Sequence, residues 1–438
     1  MQESESITQT LPRLKADIRI APFQDGGAQG ERYLVEVGDT CFVAGAAMRD
    51  VLTALQAEPE TLSELAEIYQ RQTGREVSTE TLAEVLSERI PESLFSHTPA
   101  PANKKPFAVS VDLIPERWIR PLSQGLAFLF ARPLVVFFVL AFVGAEYLVL
   151  TKSLLVFRHH RYHLWDLPLF YLAIVATTFF HELGHAAACR RYDCPHGKIG
   201  FGLYFIYPAF YTDVTKAWRL SPRERAVIDL GGVYFQAILF SVLTVYVLYS
   251  RSRFALHLLW AMNFMMLFTL NPIFKMDGYW LLSDLSGLTN LHQQMGDELM
   301  RVGRKLLRRP GGEPAPVRGA RRKLLYAYSA LVVLYYSYII HILSQSFHWV
   351  VKYYPQRVGY FFYHMGRAHQ TGHNLFILII VRDLVMESIW PFIFACALFF
   401  MGRRIVRLLR AGLRLAFARK TDADSSTADV KEIQAVQG

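Results

Sequence analysis

From Arg132 onward, apolar runs long enough to cross a membrane recur, and nothing else in the chain constrains its fold more. Hydrocarbon offers no water to backbone N–H and C=O groups, so spanning segments must be helices or strands of a closed barrel. Runs of about 20 residues fit helices. They fall near residues 133–151, 164–189, 226–250, 255–274, 324–346 and 384–401. The expected fold is mainly α: a polytopic membrane helix bundle of about six spans, behind a small N-terminal α+β domain of winged-helix-like layout. The net charge of +10 does not point to nucleic acid, because Lys and Arg cluster beside the apolar runs, where they orient a protein in a bilayer. An even number of spans with the N-terminus inside leaves roughly three times as many basic residues inside as outside. Both termini are therefore expected in the cytoplasm.

The second run carries His181-Glu182-Leu183-Gly184-His185. On a helix, residues four apart share a face, so both imidazoles can hold one Zn²⁺, with Glu182 beside them as general base. A carboxylate in a membrane helix costs about 2.5–3.5 kcal/mol, so Glu182 calls for a reason. A tetrahedral site with one water needs a third protein ligand. The fourth run ends in Asn271-Pro272-Ile273-Phe274-Lys275-Met276-Asp277-Gly278. Here Pro272 interrupts the helix, Asp277 offers an oxygen ligand and Gly278 permits close backbone approach. Both sets fall at the cytoplasmic ends of their spans, at one depth.

Residues 1–97 read as a soluble domain. Strands are expected at 17–22 and 32–37, a turn at Val37-Gly38-Asp39-Thr40 followed by Cys41-Phe42-Val43 to complete a hairpin, and helices at 46–55, 62–73 and 78–89. Thr61 and Glu64 have the spacing of a capping box. Residues 98–123 form a linker, Pro-rich at its start, residues 124–402 the membrane domain, and residues 403–438 a basic amphipathic helix with a disordered tail. The first residues are polar, without a signal-peptide pattern. Cys41, Cys189, Cys194 and Cys396 are read as small core residues in a reducing compartment. The stretch 347–383 is aromatic, with room for an extra or re-entrant segment.

His181, Glu182, His185, Asn271, Pro272, Asp277 and Gly278 together resemble the site-2 protease family of intramembrane zinc metalloproteases. Residues 207–214, with Asp277-Gly278-Tyr279-Trp280, Asp284 and Asn290-Leu291, resemble its bacterial peptide zinc metalloprotease branch. The family often has Gly-Pro near the start of the third span, where this chain has Gly231-Gly232. The resemblance implies a zinc endopeptidase of a bacterial inner membrane, acting on a peptide or transmembrane substrate near the cytoplasmic face. His181, His185 and Asp277 would hold Zn²⁺. Glu182 would take a proton from water and pass it to the leaving amine. Asn271 would either bind the substrate or cap the broken helix. The strand, Phe42-Val43, helix and Thr61-x-x-Glu64-Leu65 pattern is similar to PqqD-like domains, which implies a leader-peptide partner and a role in maturation or export of a modified ribosomal peptide. Regulated proteolysis of a signalling protein, or a non-catalytic export or immunity module, are the alternatives.

Residues 199–211 are too few to span, and their glycines and aromatics suit a re-entrant hairpin whose edge takes an extended substrate, or an interfacial anchor. Asp213 is expected either to cap the segment 212–218 or to orient a ligand. His159, His160, His163, His364, His369 and His373 read as solvated or interfacial, and His196 as a turn residue.

Overall fold

The computed structural model describes residues 11–24, 31–38, 40–96, 109–152, 165–204, 207–288, 290–306, 319–372, 374–417 and 434–436. It divides into two compact units, residues 1–291 with 425–438, and residues 292–424.

The first unit opens with an antiparallel sheet of β1 (Arg19–Pro22), β2 (Arg32–Val37) and β3 (Thr40–Gly45), followed by α1 (Ala46–Leu55), α2 (Leu62–Thr73) and α3 (Thr79–Glu84). This is the expected order of elements. Val35, Val37, Phe42 and Ala44 face Met48, Leu52 and Leu65 in one core. The Thr61 side chain caps α2 by accepting from Glu64 N. Glu64 returns to the N–H of Glu60 rather than Thr61, so the box is displaced by one residue. The helix expected over 78–89 ends at Glu84 and continues as a π-helical turn, Val85–Arg89. Burial pushes the Cys41 thiol up to about 11, consistent with a small packing group.

Next come β4 (Ser110–Ile114), α4 (Glu116–Leu126), α5 (Arg132–Lys152) and α6 (Asp166–Arg191). A hairpin of β5 (Ile199–Tyr204) and β6 (Tyr207–Thr212) joins β4 in a second sheet, with β5 in the middle. Four helices follow in the unit: α7 (Pro222–Asp229), α8 (Gly231–Ser250), α9 (Arg253–Thr269) and α10 (Asp277–Ser286). The span expected from 226 begins later, because Ser221 and Glu224 form a capping box that makes α7 a separate helix. A helix α11 (Leu291–Leu306) crosses into the second unit, which holds α12 (Ala320–Lys352), α13 (Tyr354–Gln370) and α14 (Asn374–Phe417). A last strand, β7 (Gln434–Val436), pairs with β3.

Four of these helices, α5, α6, α8 and α12, are long and apolar enough to cross a membrane. α9 has 17 residues. The stretch 384–401 lies inside α14, whose 44 residues also take in 403–417, so the expected sixth span and basic helix are one element. The segment 347–383 is no loop: α13 packs on α14 through Phe361, Ala368 and Ile380. His364 and His369 therefore lie on a helix, with the His364 ring 4.2 Å from that of Tyr360. Residues 97–108, His159, His160, His163, His373 and 418–433 lie outside the described residues.

Candidate metal centre

Four helices, α6, α7, α8 and α10, meet at the site. The C-terminal half of α6 is buried from His181 to Cys189. It lies so close to the start of α8 that a Cβ on Gly184 would stand 2.2 Å from the carbonyl oxygen of Gly231. A Cβ on Gly232 would stand 2.5 Å from the His181 ring. The Gly231-Gly232 pair thus has a local reason: it admits both the helix and the imidazole. One turn later on α8, Gln236 Oε1 lies 3.1 Å from His181 Nδ1. The carbonyl oxygen of Ile228, in α7, lies 2.8 Å from His185 Nδ1.

Both of these partners only accept, so each Nδ1 carries the proton and each Nε2 presents a lone pair. The two Nε2 atoms are 3.1 Å apart. Asp277 Oδ2 lies 3.1 Å from one and 3.4 Å from the other. It has no hydrogen-bond partner among the described residues. Two lone pairs and a carboxylate oxygen, all buried and facing one another, repel unless a cation stands among them. Two imidazole nitrogens and one oxygen form a donor set that Zn²⁺ accepts, with a fourth position left for water. The residues present fit the ion.

Asp277 reaches this point because α9 stops ahead of Pro272 and α10 restarts the chain at Asp277. A Cβ on Gly278 would stand 2.0 Å from the carbonyl oxygen of Leu270, so the two helix ends close on a residue that must lack one. Asn271 Oδ1 accepts from Ile273 N at 3.0 Å, which caps the break. Asn271 is not among the residues lining the cavity described below.

Glu182, buried on α6, accepts at Oε2 from Thr212 Oγ1 at 2.8 Å. The triad, Glu182 and Thr212 line one cavity of about 660 Å³. Apolar residues extend it: Tyr171, Ile174 and Val175 of α6, Phe264 and Phe268 of α9. Asp213, which also lines the cavity, accepts at Oδ1 from the N–H and hydroxyl of Thr215, while the N-cap position of the turn Thr215–Arg219 is Val214. His196 is buried away from the triad, with Nδ1 2.9 Å from Gly197 O and Nε2 2.8 Å from Ser123 Oγ. Cys189 and Cys194 pack in the core with Ala187, Ile228 and Phe235.

Sequence reasoning did not single out Gln236, Thr212 or the Ile228 carbonyl. Gln236 carried a signal, since an amide inside an apolar span asks for a partner. Among the basic residues near the apolar runs, Arg225 pairs with Asp284 at 2.8 Å, both buried, and Arg219 pairs with Glu36.

No family profile and no solved structure matches the chain. Among curated proteins it is similar to the Bacillus subtilis "Putative peptide zinc metalloprotease protein YydH", 27% identical over 118 residues. That stretch is 26% of this chain and 46% of the relative, so the match spans about half of the relative's length.

Proposed function

We propose that the chain is a membrane-embedded zinc endopeptidase of the site-2 protease type. The observation that carries this reading is the convergence of His181 Nε2, His185 Nε2 and Asp277 Oδ2 beside the Glu182 carboxylate in one cavity. A purely structural zinc site is closed and has no use for a carboxylate base. Zn²⁺ bound there would acidify water and polarise a peptide carbonyl. Glu182 would accept the proton and return it to the leaving amine. The similarity to a protein named as a peptide zinc metalloprotease supports the same chemistry.

The substrate is a peptide or a membrane protein. The apolar wall between α6 and α9 supports this, since Tyr171 and Phe264 there are 63% and 61% exposed on the molecule's surface. β6, an edge strand lining the cavity, offers backbone groups to an extended chain. The protein is multi-pass, with both termini and the site on the cytoplasmic side of an inner membrane, as the basic loops imply. The N-terminal domain presents the substrate, a leader-bearing peptide in maturation or export. Its seat supports this: the Phe23 ring lies 6.0 Å from that of Trp218, and Trp218 lines the cavity.

The test is cleavage of labelled β-casein, an unfolded probe, by zinc-loaded protein in detergent. Wild type is expected to cut it and Glu182→Gln to lose at least ~100-fold in kcat while keeping its zinc. Equal cleavage by Glu182→Gln rules the reading out.

A further inference from the structure

Thr212 is the last residue of β6 and pairs with Ile199 in the ladder. Alternation along the hairpin puts Ile199 and Phe201 on the same face as Phe210 and Thr212. Ile199 and Phe210 pack there against Leu183 and Ala186 of α6. The strand's polar end is thereby brought to Glu182.

Its position is held from several sides. Asp213 N donates to Lys198 O at 3.0 Å and Gly197 N to Asp213 O at 2.7 Å, extending the ladder past Thr212. A Cβ on Gly197 would stand 2.7 Å from the Asp213 carboxylate, so the turn closes tightly. On the other side, Tyr211 crosses Gly200, whose Cβ would stand 2.3 Å from the ring, and donates to Asp112 of β4 at 2.9 Å. Thr212 Oγ1 lies 2.8 Å from Glu182 Oε2 and 2.9 Å from the Glu182 carbonyl oxygen. One hydroxyl proton therefore ties the Glu182 side chain against its own backbone, from a strand that cannot easily move.

We infer that Thr212 is the positioning residue for the general base, fixing the Glu182 carboxylate from β6. The inference rests on the endopeptidase reading. A base must hold hydrogen-bonding distance to the proton it takes, and a long carboxylate side chain has rotamers that miss it. β6 would then set two things at once, the substrate's register on its edge and the base's orientation at its end.

The test uses the full chain, zinc-loaded in detergent, with labelled β-casein as probe. Thr212→Val keeps the shape and removes the hydroxyl, and Thr212→Ser restores it. Thr212→Val is expected to lower kcat about 10–100-fold, part of what a positioned base contributes, with KM and zinc content near wild type. Thr212→Ser should recover most of the loss. An infrared difference against Glu182→Gln reports the Glu182 carboxylate stretch, and Thr212→Val should shift it. Wild-type kcat in Thr212→Val, an equal loss in both variants or an unmoved band overturns the inference. Failure of the enzyme reading is told apart by Glu182→Gln cutting as well as wild type. The band needs no turnover and decides the positioning contact in either case.

Discussion

At the scale of single residues, the site's chemistry lies in what stands behind the ligands. Gln236 and the Ile228 carbonyl fix both histidine tautomers, so that each Nε2 faces Asp277. Gln236→Leu is expected to weaken zinc binding about 10–100-fold, measured by competition with a chelator, whereas Gln236→Glu should lose less because it still accepts. His181, Glu182, His185 and Asp277 were legible in the sequence because helical spacing and the Asp-Gly turn are local. Thr212 was not, because its role depends on which strand end falls opposite Glu182 in three dimensions. His196 makes a further prediction. Burial lowers its pKa below the ordinary 6.5, so the folded chain resists a proton that the unfolded chain accepts. Its stabilising share is full above about pH 6.5 and falls as pH drops through the lowered folded value. Thermal unfolding between pH 7.5 and 5 should thus be less pH-dependent in His196→Asn than in wild type; an unchanged slope would show that His196 does not titrate on unfolding.

At the scale of elements, α6 and α8 approach through glycine. Gly184→Ala would force a methyl group onto the Gly231 backbone, which cannot give way as a flexible side chain could. Thermal unfolding should show a loss of about 1–3 kcal/mol or more, whereas Gly144→Ala on α5, whose Cβ would meet nothing within 4 Å, should be near neutral. Comparable losses in both would mean that the close crossing is not what Gly184 serves. Most elements were readable: the apolar runs became helices, and 199–212 became the hairpin. The boundary between α7 and α8 was not, because hydropathy merges a short capped helix with the span behind it, although Ser221-Pro222-x-Glu224 marked the start. The segment 347–383 misled for a related reason. Its aromatic content fits several membrane environments, and only its packing on α14 makes it a helical hairpin.

At the scale of the molecule, the first unit joins a small α+β domain to the candidate centre. Arg225 sits over the rings of Phe23 and Trp218, at 5.2 and 5.1 Å, while paired to Asp284. Glu36 holds Arg219, and Lys216 Nζ donates to Gly38 O at 2.8 Å. Glu36→Arg sets two guanidinium groups together and should raise amide exchange in β3 and Thr215–Arg219, with Glu36→Arg/Arg219→Glu restoring protection. Unaltered exchange would show that the pair does not hold the domain. The central claim is that two histidines and one aspartate hold a catalytic zinc, and X-ray absorption at the zinc edge of the purified full-length protein tests it most directly. The expected result is one zinc per chain in a shell of nitrogen and oxygen at about 2.0–2.1 Å, lost in Asp277→Ala. A shell containing sulfur, which would place the ion at Cys189 and Cys194, or a protein that binds no zinc, would contradict it.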